Sequence, residues 1–470
     1  MRVSPLIPGA LIISLFSGCL TNSSSSTDSS RPTADLDIDR QQAYAHYCQA
    51  VFHEYHQEND AALREYLKVL ELDPTSLEAA LKAGSILLGE DKTEESIEWF
   101  RRALELDPES FRAAFLLATA HYKAGREEEA LEGYREAIRI SPEERSPYLL
   151  MATIYTRRED YGAALVIYLK AAEIAPKQPD IWFRIGLLYT KKGDYQSAIG
   201  GFKKALNLVP DSLESRLALA LAYDLNDQDE EAVLEYERAR EIVPLNGNII
   251  RRLGTLYYAS SRVKESISAF LRLLELEPTS GSACFLLGTA YLSDKNFPAA
   301  IEAFRKALEQ GEGGDLLYFQ LGAAYERNGD FEAAARQFEQ AIELNPRNAE
   351  AYNYLGYMYA EKGVRLDEAL ELIKRALELE PDNGAFLDSL GWVYYQKGMV
   401  DEALEQLERA VSIISDDSTG HDHLGDAYVR KGDISSAIEQ WRKALALDPA
   451  DPEAIRAKIE NAETRMTNDE

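Results

Sequence analysis

Proline recurs along this chain with a period that no single globular core would produce. Pro74, Pro108, Pro142, Pro176, Pro210, Pro244 and Pro278 stand 34 residues apart. The interval doubles to 68 where Glu312 and Ser415 occupy the expected places, and it stretches to 35 once, between Pro346 and Pro381. A fixed period of about 20 to 50 residues marks a solenoid, whose units bury their apolar faces only against their neighbours. Counting each Pro as position 32 gives twelve units from Ala43 to Asp451.

Within that frame position 8 holds only Gly or Ala, as in Gly84, Ala118, Gly186 and Gly356, and position 20 only Ala or Ser, as in Ala130, Ser266 and Ala369. Small residues at two fixed places let a pair of helix backbones approach closely. Large apolar residues, frequent at positions 7, 11 and 24, lock the pair. The ninth unit shows the logic. Tyr318, Leu321, Gly322 and Tyr325 share one helical face. Asn328-Gly329-Asp330 is turn chemistry. Phe331, Ala334, Phe338 and Ala341 repeat the helical spacing, and Asn345-Pro346 stops the second helix.

These positions resemble the tetratricopeptide repeat (TPR), whose signature sets Trp, Leu-Gly, Tyr, Ala, Phe, Ala and Pro at the same places. The resemblance covers residues 43–451. It implies an all-α fold, a right-handed TPR superhelix of twelve helix-turn-helix repeats. Ile455, Ile459, Ala462 and Met466 form an apolar stripe that predicts a C-terminal capping helix and tail over 452–470. Repeat one departs from the pattern with His46 and His53, and repeat ten has an extra residue near Val364-Arg365. In repeat eight, Gly311-Glu312-Gly313-Gly314 replaces the Pro stop. We expect a flexible joint there, between repeats one to eight (43–314) and nine to twelve (315–451).

The amino terminus reads differently. Arg2 precedes an apolar run through Leu11-Ile12-Ile13 that is too short to span a bilayer, so residues 1–18 read as a signal peptide. Ser17-Gly18-Cys19 resembles the bacterial lipobox, although Phe16 stands where Leu is usual. The resemblance implies lipidation of Cys19 and a lipid-anchored protein on the extracytoplasmic or periplasmic face of a bacterial envelope membrane. An ordinary cleaved signal and an uncleaved anchor are the alternatives. Residues 19–40 then form a Ser/Thr-rich linker with a root-mean-square span of about 25 Å. Cys48 and Cys284 lie in distant repeats, which argues against a structural disulfide. Cys284 reads as a small buried hydrophobe.

The chain carries 51 Lys plus Arg against 80 Asp plus Glu, a net charge of −29. So acidic a solenoid is poorly suited to nucleic acid, whose phosphates reward basic surfaces. No nucleotide loop, serine elbow or zinc-protease spacing occurs. His53-Glu54-Tyr55-His56 lacks metal-ligand spacing, and His421 and His423 diverge by about 200° on a helix. Repeats, signal and linker account for the chain, so the expectation is no enzyme, no metal and no cofactor.

The TPR resemblance implies that the first helix of each repeat lines an inner groove. Position 5 runs Phe115, Leu149, Phe183, Leu217, Arg251, Phe285 and Phe319, and position 13 adds Lys123, Arg157 and Lys191. An apolar floor with a basic rail suits an amphipathic helix or extended peptide carrying acidic residues. Alternatively, these side chains pack on the next repeat's first helix. Asn353, Tyr357, Asp388, Trp392 and Tyr395 form a second candidate surface, suited to peptide or carbohydrate, or else simply to repeat packing. The leading expectation is a non-catalytic scaffold for protein or peptide partners, similar to envelope TPR lipoproteins that assemble pili, secretion, outer-membrane or exopolysaccharide machinery. The alternative is glycan or peptidoglycan binding through the aromatics of repeats ten to twelve.

Overall fold

The computed structural model describes residues 33–469. Signal segment, Cys19 and the Ser-rich stretch lie outside the described residues. Those described form 25 helices and no strand. The chain divides into two units, one ending at Val209 and one beginning at Pro210.

The first unit holds five helix pairs: α1 (Thr33–Tyr55) with α2 (Asn59–Leu72), α3 (Leu77–Gly89) with α4 (Thr93–Leu106), and α5 (Phe111–Lys123) with α6 (Glu127–Ile140). The pairs α7 (Arg145–Arg157) with α8 (Tyr161–Ile174) and α9 (Pro179–Lys191) with α10 (Tyr195–Leu208) follow. In the second unit α11 (Leu213–Asp224) pairs with α12 (Asp229–Ile242), α13 (Gly247–Ala259) with α14 (Val263–Leu276), and α15 (Gly281–Ser293) with α16 (Phe297–Glu309). The pairs α17 (Asp315–Arg327) with α18 (Phe331–Leu344) and α19 (Ala349–Glu361) with α20 (Leu366–Leu379) come next. Then α21 (Gly384–Gln396) pairs with α22 (Val400–Ile413), and α23 (Ser418–Lys431) with α24 (Ile434–Ala446). The last helix is α25 (Pro452–Asp469). No described helix is long and apolar enough to cross a membrane.

Twelve pairs and a terminal helix are what the proline period predicts. Two boundaries differ. α1 starts at Thr33, within the segment assigned to the linker, so helix replaces coil over its last residues. The division at Gly314/Asp315 does not coincide with the division at Val209/Pro210. Its physical reason is continuous packing: Cys284, Phe304 and Ala307 before the glycine segment share one core cluster with Leu317 and Leu321 after it. The segment itself is a closed cap. The Gly311 amide donates to Leu308 O and the Glu312 amide to Ala307 O, each at 3.0 Å. Gly311 (φ 81°) and Gly314 (φ 112°) supply the left-handed backbone that this turn requires.

Each pair interlocks through positions 8 and 24. A Cβ on Gly186 would stand 2.6 Å from the Phe202 ring, one on Gly254 2.5 Å from Phe270, and one on Gly322 2.8 Å from Phe338. The facing ring is Phe in each of these Gly repeats. It is Tyr where position 8 is Ala, as in Ala118 with Tyr134 and Ala152 with Tyr168. Phe100, Phe202, Phe270, Phe304 and Phe338 are at most 1% exposed, so they are the core. Helix starts are capped where the sequence offers short polar residues: Asp160 Oδ1 accepts from Ala163 N at 2.9 Å and Asn348 Oδ1 from Ala351 N at 2.9 Å. Cys284 is buried, and burial pushes its thiol pKa up. Cys48 is exposed.

Candidate functional site

In the first unit, Phe115 on α5, Leu149 on α7 and Phe183 on α9 are half-buried. The two phenylalanine rings lean on the second helix of their own repeat, Phe115 on Tyr134 at 5.9 Å and Phe183 on Phe202 at 5.6 Å. The position-5 side chains therefore act as packing wedges with one face left accessible. Most of the basic rail is neutralised. Lys123 Nζ pairs with Asp91 at 2.6 Å and donates to Leu88 O, and Arg157 pairs with Glu127 while its guanidinium covers the Tyr122 ring. Arg157 and Lys191 do meet, in a small cleft of about 290 Å³ shared with Arg184, Tyr161 and Leu187.

In the second unit Leu217 and Phe285 are half-buried, the latter 5.8 Å from Phe304. Arg251, the charged exception at position 5, pairs with Glu277 at 2.6 Å. Phe319 corrects the groove expectation. It is buried at 7% exposure, packed 5.7 Å from Phe338 and edge-on to Tyr354 of the next repeat at 5.2 Å. Its large neighbours on both sides leave it no accessible face.

Beyond Phe319 a cleft of about 580 Å³ opens in this unit. The first helices α17, α19, α21 and the start of α23 line it, with the turn into α18 closing one end. Asn353, Tyr357 and Asp388 line it, joined by Tyr354, Glu361 and Asp417. Their polar groups are more buried than a simple open surface would allow. Asn353 is 8% exposed and Asp388 7%. Among the described residues Asn353 Oδ1 finds no donor.

Trp392 and Tyr395 do not line the cleft. Trp392 stacks on Tyr395 at 4.8 Å and on the His423 ring at 4.1 Å, while the Arg430 guanidinium lies 3.8 Å from the Tyr395 ring centre. They form the layer that supports the cleft wall. Among the described residues Trp392 Nε1 is likewise buried without a hydrogen-bond partner.

His423 is the residue that the sequence reading missed. Divergence from His421 suggested two idle side chains, yet both are 6% exposed. They diverge because each serves a different partner. His421 Nδ1 lies 2.8 Å from Gln440 Oε1. His423 Nδ1 lies 3.0 and 3.1 Å from the two Asp388 oxygens, joining α23 to α21. Burial by itself lowers the His423 pKa, but the Asp388 charge and hydrogen bond more than offset it, and the net shift is upward. Position 5 of repeat eleven, Asp388, changing from apolar to acidic together with a His one repeat later was the available signal. Further along, Lys458 of α25 reaches Asp422 at 2.8 Å and Asp426 at 2.9 Å on α23. Among the described residues no group of three or more His, Cys, Asp or Glu side chains is placed to hold a metal ion.

Family comparisons agree with this architecture. Models described as tetratricopeptide repeat match residues 53–111, 100–145, 146–178 and 179–212. A model described as Cilia and flagella-associated protein 70 C-terminal domain matches residues 212–464. No curated protein matches the chain. Among solved structures, the APC/C hetero-tetramer Cut9-Hcn1 is 15% identical with a TM-score of 0.44, covering 91% of this chain and 96% of that one. Yeast Tom70 is 17% identical with a TM-score of 0.40, covering 92% and 97%. YrrB, titled a TPR protein with an unusual peptide-binding site, is 24% identical with a TM-score of 0.34, covering 39% and 95%. The chain is a tetratricopeptide repeat protein, and its residues 212–464, more than half its length, belong to the family described as Cilia and flagella-associated protein 70 C-terminal domain.

Proposed function

We propose that this protein is a non-catalytic scaffold that holds a segment of a partner protein in the α17–α23 cleft. The observation that carries the reading is the cleft itself: first helices of consecutive repeats converge on a concavity floored by aromatic rings, with a buried acceptor left unsatisfied. Concave apolar sites with a few convergent polar groups are where ligands bind. Selection of peptides from a displayed random library against the full chain tests it. Selected peptides should lose about tenfold or more in affinity when the half-exposed Tyr354 becomes Ala, since truncating an aromatic anchor at a binding site costs more than about 1.4 kcal/mol. The same peptides should be indifferent to Phe183→Asp in the first unit. The reverse pattern would move the site to the first unit.

The proposal also takes in the amino terminus: lipidation at Cys19, tethering to a bacterial envelope membrane, and work in assembling an envelope complex such as a pilus, secretion or outer-membrane machine. It rests on Ser17-Gly18-Cys19 and the polar stretch that follows. Metabolic labelling with a radioactive fatty acid should mark the wild-type chain and spare Cys19→Ser; equal labelling of both would end that part. The glycan alternative draws less support. Its expected platform, Trp392, already stacks on two protein rings.

A further inference from the structure

The scaffold reading leaves open what the held segment carries, and three acceptors along the cleft bear on that. Asn353 Oδ1, in a side chain that is more than nine-tenths buried, has no donor among the described residues. Glu361 accepts from the Tyr357 hydroxyl at 3.2 Å. Asp417 accepts two backbone amides at the start of α23, from Thr419 at 3.1 Å and Gly420 at 3.2 Å. Among the described residues neither carboxylate enters an ion pair, unlike Glu326, which takes Arg327 at 3.2 Å, and Asp388, which takes His423. Lys362 is the remaining cation of the lining. An anionic ligand would bring more acceptors to a place already short of donors. A guanidinium brings five donors and a positive charge at once.

Resting on the scaffold reading, we infer that the α17–α23 cleft recognises a basic side chain, an arginine above all, on an extended peptide segment of the partner. The arginine donates to Asn353 Oδ1 and sits between the Glu361 and Asp417 carboxylates, with its stem along the Tyr354 and Tyr357 rings. This reverses the charge of the partner that the basic rail of the first unit suggested. The local field agrees: burial first, and then Glu361, Asp388 and Asp417, push the Tyr357 phenol far above its ordinary value, as an excess of negative charge would.

The test uses three fluorescent peptide pools, each about twelve residues long, random except for a central arginine, citrulline or glutamate. Citrulline keeps the shape and loses the charge. The full-length protein should bind the arginine pool at least about tenfold more tightly than the citrulline pool, because hydrogen bonds from a charged donor are stronger than those from a neutral one of the same shape. Asp417→Asn, which keeps the helix cap, and Glu361→Gln should each erase much of that preference. Asn353→Leu should do so while raising the melting temperature, since it removes an unsatisfied buried acceptor; a merely structural asparagine would lower it. Equal binding of arginine and citrulline pools would overturn the inference and leave the scaffold reading standing. Tightest binding of the glutamate pool would overturn it outright. Failure of every pool to bind would take both down.

Discussion

A single methyl group separates two kinds of repeat in this protein. Where position 8 is Gly the facing ring is Phe at least in Gly84, Gly186, Gly254, Gly288 and Gly322, and a Cβ there would stand well inside contact distance of that ring. Gly186→Ala should therefore cost about 1–3 kcal/mol by overpacking, read as a lower urea midpoint at unchanged m-value. An unchanged midpoint would mean that the helix pair opens more easily than its packing indicates. Gly356→Leu should cost at least as much, with Ile373 and the Ala369 carbonyl in its way. The His423–Asp388 pair makes a prediction of opposite character. Its folded-state pKa is raised, so its stabilisation is fully present below the unfolded value of about 6.5 and fades as pH climbs through the folded value. The melting temperature of the wild type should accordingly fall between mildly acidic and mildly alkaline pH more steeply than that of His423→Gln. Parallel slopes would show that the pair is not charged in the folded state.

At the scale of the helices, local chemistry and neighbour packing divide the work. The turn inside each repeat needs a left-handed residue, supplied by Gly125, Gly193, Gly329 and Gly398 but by Asp91, Glu159 and Lys295 elsewhere. Asn-Gly and Lys-Gly turns are plain in the sequence, whereas Glu159 and Lys295 carry no such mark and are placed only because the helices on either side are held by packing. The last helix, α25, is amphipathic and closes the array: Ile455 and Ala462 are buried against Ile438 and Trp441. Deleting 452–470 would expose that apolar face and cost on the order of 3 kcal/mol. It should appear as faster amide exchange in α23 and α24. Full protection in the truncated chain would show that the cap is dispensable. Lys458→Met should weaken the same junction by less, because its partly exposed pairs with Asp422 and Asp426 are screened by water.

For the whole molecule, stability sums over repeats and their nearest neighbours. Phe100→Ala, which empties a fully buried site in repeat two, should cost about 3–5 kcal/mol. Its faster amide exchange should stay within α1–α6 and leave α21–α24 protected; uniform loss of protection would instead mean one all-or-none core. The same nearest-neighbour logic explains what could be read in advance. Repeat count, helix pairing, the capping helix and the burial of Cys284 follow from residues spaced within about one period, which recur and so announce themselves. The site does not recur. Phe319 looked like its half-exposed equivalents Phe183 and Phe285, and only Tyr354 of the following repeat buries it. Trp392 looked like a binding platform until His423, one repeat later, stacked on it. Sequence by itself thus determined the solenoid, because a periodic pattern states which faces must be buried. The tertiary structure alone decided which of those faces remain open and which charges stay unpaired, because that depends on side chains from the next repeat, at separations where the pattern is broken rather than repeated.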